Sequence, residues 1–239
     1  MDDVLWSISV RNLDGSVRLE RDPRRVLSTA SVGKLFLLLE VARRIDGGEL
    51  DPREMLRREA EDAVADSGLW QHLAVDALCV EDLAVLVASV SDNLATNVLL
   101  RRVGLPAVHL LEHSALHDRV RDERRPEHPA RLSSGSADEL SRFMLGLRQE
   151  LYSGSRRLLA WMRHNTDLSM VAAAFGLDPL AHDWLANKTG TDVGVRADVG
   201  LTGNTAYAVI ANFPSDRTDE VLESMRAIGA GIRQTQTEA

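Results

Sequence analysis

Apolar and polar residues alternate near both ends of this chain, whereas the middle carries helical periodicity, so the simplest fold is one sheet fed from both termini. Near the start, Leu5, Ser7 and Ser9 face one way and Trp6, Ile8 and Val10 the other. Asn12-Leu13-Asp14-Gly15 then supplies a turn before residues 17–20, and the opening reads as a β-hairpin. Near the end, residues 184–188, 197–201 and 205–213 read as strands and 219–232 as a closing helix. Between them, helical spacing is expected over 31–45, less regularly over 52–63, and again over 80–90, 93–103, 105–116, 137–151, 155–164 and 168–175. The expected class is α/β (α+β): an antiparallel sheet from both termini flanked by helices, with an all-helical lobe inserted. We expect one domain over 1–239, its α/β lobe about 1–30 and 165–239 and its helical lobe about 31–164.

The 239 residues, 44% apolar and 27% charged, can bury a substantial core. Apolar runs such as Leu35 to Leu39 and Leu83 to Ala88 are far short of the roughly 20 residues that span a bilayer, so no membrane association is expected. Net charge is -8, with no basic stripe, which argues against nucleic acid as a partner. Cys79 is alone and cannot form an intramolecular disulfide. Met1-Asp2-Asp3-Val4 lacks the basic and apolar regions of a secretion signal; a cytoplasmic location is expected, or an extracytoplasmic one if a signal peptide has been removed. The 28 basic residues divide into 26 Arg and 2 Lys. Lys34 and Lys188 therefore mark sites where a compact ammonium with an adjustable pKa serves and a guanidinium does not.

Lys34 closes the segment Ser31-Val32-Gly33-Lys34, and on a helix a spacing of three puts its ammonium and the Ser31 hydroxyl on one face. Ser31 has an ordinary reading as a helix N-cap, and so does Ser91-Asp92-Asn93 at the head of a later helix. Ser31 can also be read as a nucleophile whose proton passes to a desolvated Lys34. Lys188-Thr189-Gly190 ends a strand; Gly190 would let a substrate approach the strand edge, and Lys188 with Thr189 would bind an anion. Together and in this order, the three triplets match the Ser-x-x-Lys, Ser-Asp-Asn, Lys-Thr-Gly set of penicillin-recognising serine enzymes.

On these residues the chain resembles the class A serine β-lactamases and their serine-hydrolase relatives. The likeness extends through Ser91-Asp92-Asn93-Leu94-Ala95-Thr96-Asn97-Val98-Leu99-Leu100, and from Lys188 to Arg196-Ala197-Asp198-Val199-Gly200, and covers about residues 5 to 235. Ser67-Gly68-Leu69-Trp70-Gln71-His72-Leu73 is more similar to the relatives than to the resistance enzymes. The resemblance implies hydrolysis of the β-lactam amide through an acyl-Ser31 intermediate, with no metal or organic cofactor. Lys34 and Ser91 would relay protons, and Asn93 would touch the substrate amide. Lys188, Thr189, Gly190 and Arg196 would line the carboxylate site, and the N–H groups of Ser31 and Thr191 would hold the oxyanion. Antibiotic resistance or β-lactam catabolism would follow, although a cytoplasmic enzyme would not defend a cell-wall target.

Glu127 stands where the family keeps the Glu that activates the deacylating water, with Arg125 also fitting, but Arg131 replaces the expected Asn and the stretch beyond Glu127 is shorter. Without a competent base the acyl-enzyme would persist, so the alternatives are a penicillin-binding protein or sensor with slow deacylation, and a related esterase or peptidase. The chain also enters its first strand almost at once, where the family has a helix packed against the C-terminal helix. An uncovered groove beside residues 219–232, or a partner chain covering it in an oligomer, is expected. A remote alternative is a zinc peptidase: His109-Leu110-Leu111-Glu112-His113 would set two imidazoles four apart on one helix face, with His117 a turn further on, although no third carboxylate ligand is evident downstream. His72, His128, His164 and His182 are scattered, and Trp70 can either line the cleft entrance or belong to the core.

Overall fold

In chain order, the computed structural model, which describes residues 3–105, 111–175 and 185–237, opens with strands β1 (Leu5–Asn12), β2 (Val17–Arg21) and β3 (Leu27–Ser28). A 3-10 turn (Ala30–Gly33) leads into helix α1 (Lys34–Asp46), then β4 (Met55–Arg57), β5 (Ala77–Cys79), α2 (Val80–Ser89) and α3 (Asn93–Val103). There follow β6 (Ala115–Leu116), β7 (Ser133–Gly135), α4 (Ala137–Arg148), α5 (Ser155–Met162), β8 (Leu185–Asp192), β9 (Val195–Thr202), β10 (Thr205–Asn212) and α6 (Thr218–Thr237). The main sheet is antiparallel in the order β2-β1-β10-β9-β8, with Leu5 opposite Asn212 and Asn12 opposite Thr205. Strands from both termini thus lie side by side in one sheet, and among the described residues β8 is an edge that pairs with β9 alone.

One face of the sheet sends Trp6, Ile8, Val10, Tyr207 and Val209 against Val221, Met225 and Ile232 of α6 and the segment Met170 to Phe175. The other sends Ala197, Val199, Ala208 and Ile210 into the larger core with α1 to α5. Both faces of β1 are buried, and its polar side is satisfied by α4: the Ser141 hydroxyl bonds Ser9 at 3.0 Å, and Arg11 ion-pairs with Asp138. The alternation of β1 therefore marks an apolar and a hydrogen-bonded interior rather than an inside and an outside. Within 31–164, α4 packs on β1, β9 and β10, so this stretch covers the sheet as well as forming helices beside it. Helix α1 is buried on nearly every side, the pattern of a central helix.

Three helical expectations are corrected. Residues 52–63 hold β4, which pairs with β5 through Met55 and Cys79, and only a 3-10 turn at Ala60–Asp62. Residues 111–113 are bends and Ala115–Leu116 is a strand, so no helix runs to residue 116. Over 168–175 there is only the 3-10 turn Val171–Phe175, because its backbone is held from outside: Ala172 N–H donates to Asp198, and Arg226 donates to the Ser169 carbonyl. Edge strand β2 exposes Val17 (49%) and Leu19 (42%). Among the described residues no helix is long and apolar enough to cross a membrane.

Candidate active site

Ser31, Lys34, Ser91 and Lys188 come together where the 3-10 turn, the head of α3 and edge strand β8 meet. Neither serine caps a helix. Ser31 lies inside the turn, and α1 begins at Lys34 without a side-chain cap. In α3 the cap is Asp92, which accepts from Ala95 N–H at 2.8 Å and, on its other oxygen, from Leu69 and Trp70 N–H at 2.7 and 2.8 Å. That division of labour frees the Ser91 hydroxyl for the two lysines.

Lys34 is fully buried, and its Nζ lies 2.7 Å from the Ser91 carbonyl, 2.7 Å from Asn93 Oδ1 and 3.2 Å from Ser91 Oγ. Lys188 reaches the same hydroxyl from the opposite side at 3.0 Å and also donates to the Thr189 carbonyl. One hydroxyl bridging two amines can accept from an ammonium while donating to a neutral amine, the arrangement a proton relay needs. Burial pushes the Lys34 ammonium well below the ordinary lysine value, the Lys188 charge pushes it further, and Asp92 opposes both. Burial lowers Lys188 to about 8, while Asp167 and Asp198 hold it up. Burial thus favours the neutral amine at Lys34, whereas the two carboxylates oppose loss of the charge on Lys188.

The backbone here is contorted. Ala30 (φ 46), Asp66 (φ 66) and Ser91 (φ 57) are non-glycine residues in the left-handed region, and all three line one cleft of about 780 Å³. Gly190 is required by close approach: a Cβ there would lie 2.1 Å from the Thr29 carbonyl oxygen and 3.1 Å from the Ser31 nitrogen. The β8 edge is thereby drawn against the amide of Ser31.

Ser31, Ser91, Asn93, Thr189, Thr191 and Arg196 line the cleft, with Lys34 and Lys188 buried beneath it. Asn93 donates to the Ala65 carbonyl, and Arg196 donates to the carbonyls of Asp192 and Val195. Glu127 is not brought to the site: it is exposed, outside the cleft lining, on the loop of residues 117–132. What that loop offers the cleft is Val120, Arg121, Asp122, Arg124 and Leu132. Arg121 and Arg124 both pair with Asp118, and Asp122 accepts from Ala65 N–H at 2.7 Å. Arg125 and Arg131 are exposed.

Sequence reading missed Asp66, Asp122, Asn165 and Asp167, which also line the cleft and come from irregular segments whose position follows from tertiary bonds. Trp70 is wholly buried core, its indole donating to the Val75 carbonyl. For the zinc reading, His109 lies outside the described residues, and Glu112 and His113 sit on bends rather than a helix face. Glu139, also missed, brings a carboxylate beside them, with the three ligand atoms within 4.8 Å, but the group is at the surface and none of it lines the Ser31 cleft.

Residues 3–236 match the model of the "Beta-lactamase enzyme family". A curated β-lactamase from Streptomyces albus G is 32% identical over 192 residues, 72% of this chain and 59% of that protein, so the chain spans well under two thirds of this relative. Among solved structures, PBP-A superposes with a TM-score of 0.85 at 22% identity, covering 100% of this chain and 92% of that one. The β-lactamase of Sphaerobacter thermophilus gives 0.80 at 22% identity over 94% and 89%, and an ancestral class A β-lactamase 0.80 at 21% over 97% and 94%. The fold is that of the class A β-lactamases, as the sequence led us to expect.

Proposed function

Because this chain belongs to the beta-lactamase enzyme family of hydrolases, we propose that it opens the amide of a β-lactam ring through an acyl-Ser31 intermediate. The observation that carries the reading is the Ser91 hydroxyl held between two buried lysine amines at the cleft that Ser31 lines.

Ser31 Oγ attacks the ring carbonyl and its proton passes to the neutral amine of Lys34. The carbonyl electrons move onto oxygen, where the Ser31 N–H and a β8 edge N–H, that of Thr191, stabilise them. As the tetrahedral centre collapses, the ring C–N bond breaks. Ser91 then gives its proton to the leaving nitrogen and takes one from Lys34. Lys188, Thr189 and Arg196 hold the substrate carboxylate, and Asn93 orients the side-chain amide. Every group needed for acylation comes from this chain.

Release of the acyl group needs an activated water. Here a second reading has its own support: Glu127 is exposed and outside the cleft, so no glutamate from that loop is in place to activate one. The protein then acylates readily and deacylates slowly, in the manner of a penicillin-binding protein. A PBP-A variant has been solved as its acyl-enzyme with penicillin G, and it superposes on this chain with a TM-score of 0.83 at 22% identity. Mixing the protein with a penicillin and a chromogenic cephalosporin, and following intact mass and absorbance together, tests both. A stoichiometric adduct absent from Ser31→Ala is expected. Its persistence supports slow deacylation, steady colour change supports turnover, and absence of both refutes the β-lactam reading.

A further inference from the structure

Behind β8, on the face turned away from Lys188, lies a polar chain that runs from the buried Asp198 out to the cleft. The Asp198 carboxylate of β9 accepts from Asn187 Nδ2 at 3.0 Å and the Tyr207 hydroxyl at 3.1 Å on one oxygen, and from Ala172 N–H at 3.2 Å on the other. Asn187 in turn accepts from Asn165 at 2.9 Å, and Asn165 accepts from Asp167 N–H. Asp198, Tyr207 and Asn187 are 1% exposed or less, while Asn165 and Asp167 line the cleft. Gly200 makes room for this chain: a Cβ there would lie 2.7 Å from the Tyr207 hydroxyl and 2.8 Å from Asn187 Cβ.

Burying a carboxylate among neutral donors, with no cation bonded to it, is costly and needs a return. We propose that Asp198 is a positioning residue for the reaction: through Asn187 and Asn165 it fixes both the β8 edge and the Asn165–Asp167 floor of the cleft, and its negative charge keeps Lys188 an ammonium. This rests on the reading of Lys188 as the cation for the substrate carboxylate. Lys188 is faced by Lys34 and Ser91 from the cleft side and by the charges of Asp167 at the floor and Asp198 behind, and the two carboxylates are what hold its proton. Asp198 is faced by Tyr207 from β10, Asn187 from β8, Ala172 from the segment under α6, and the charge of Asp167. Burial raises Asp198 to about 6, and the three hydrogen bonds hold it ionised above that.

The chain has only two lysines, so protein labelled with 13C at lysine Cε gives two signals whose titrations follow Lys34 and Lys188 directly. A single Lys→Arg variant assigns them. In Asp198→Asn the Lys188 midpoint should fall by about one pH unit or more, whereas Tyr207→Phe, which keeps the carboxylate, should leave it within ~0.3 unit. A Lys188 midpoint unchanged or raised in folded Asp198→Asn overturns the proposal. Should that variant not fold, 13Cγ of the buried aspartate in the wild-type protein serves: it should show its own step near pH 6 and a second as Lys188 deprotonates near pH 8. A single step overturns the coupling. These titrations use no β-lactam, so a protein that fails to acylate at Ser31 but passes them separates the two failures.

Discussion

The two walls of the cleft are built differently. On one, Lys34, Ser91, Asn93 and Lys188 are held by a helix start, a capped turn and a sheet edge, and buried lysine amines bond to a shared hydroxyl. The other is the loop of residues 117–132, where Arg121 and Arg124 close on Asp118, Arg119 and Asp122 bond to residues 61 and 65 outside the loop, and Glu127 lies outside the cleft lining. On the proposed mechanism the first wall forms the ester, and the second does not supply the glutamate that would hydrolyse it. Bond-making depends on regular elements that constrain geometry to within a few tenths of an ångström, and bond release depends on a loop that can be rebuilt without disturbing the fold.

The sharpest way to break this contrast is at the first wall. Ser31→Ala should abolish the adduct, and Lys34→Arg should slow acylation on the order of 10²–10⁴-fold, because an always-charged guanidinium cannot take the serine proton. Rapid-quench mass spectrometry measures both, and near-normal labelling of Lys34→Arg would remove its proton-accepting role. Gly190→Ala should come next, with a loss of roughly 10²-fold in acylation, since the new Cβ meets the backbone of Thr29 and Ser31 and must push the β8 edge away. Its thermal unfolding curve would show whether the fold survives.

Smaller effects sharpen the contrast. Acylation by a substrate bearing a carboxylate should decline above pH 8, about tenfold per unit at the limit, as Lys188 loses its proton, while an analogue lacking the carboxylate loses less. The same group makes the fold gain stability as pH rises from about 8 to 10.5: over that window the unfolded lysine still holds a proton that the folded one has released. Glu127→Gln should change the adduct lifetime by less than about twofold, as expected for an exposed loop charge. A large lengthening would return Glu127 to the mechanism and erase the difference between the walls.

The parts of this molecule written in periodicity and spacing were legible. The strands at both termini, α3 and the triplets at Ser31, Ser91 and Lys188 all follow from local pattern. What pattern does not hold is where irregular chain is pinned from a distance. Residues 168–175 carry apolar side chains at helical spacing, yet bonds to Asp198 and Arg226 hold the backbone in a short turn. Asp122 and Asn165 are held at the cleft by such bonds, to Ala65 and Asn187, and Asp198 looks like any strand residue until Asn187 and Tyr207 are seen against it. Glu127 stands at the right interval along the chain, but the bonds of its loop, not the interval, decide where it points.

The central claim is that Ser31 carries the acyl group, and tryptic mapping of penicillin-treated protein quenched in acid tests it directly. Cleavage after Arg25 and Lys34 releases residues 26–34, which hold Ser28, Thr29 and Ser31. The account predicts that the added mass lies on this peptide and that fragmentation places it on Ser31. Label on the peptide containing Ser91, or on Ser28 or Thr29, would contradict it.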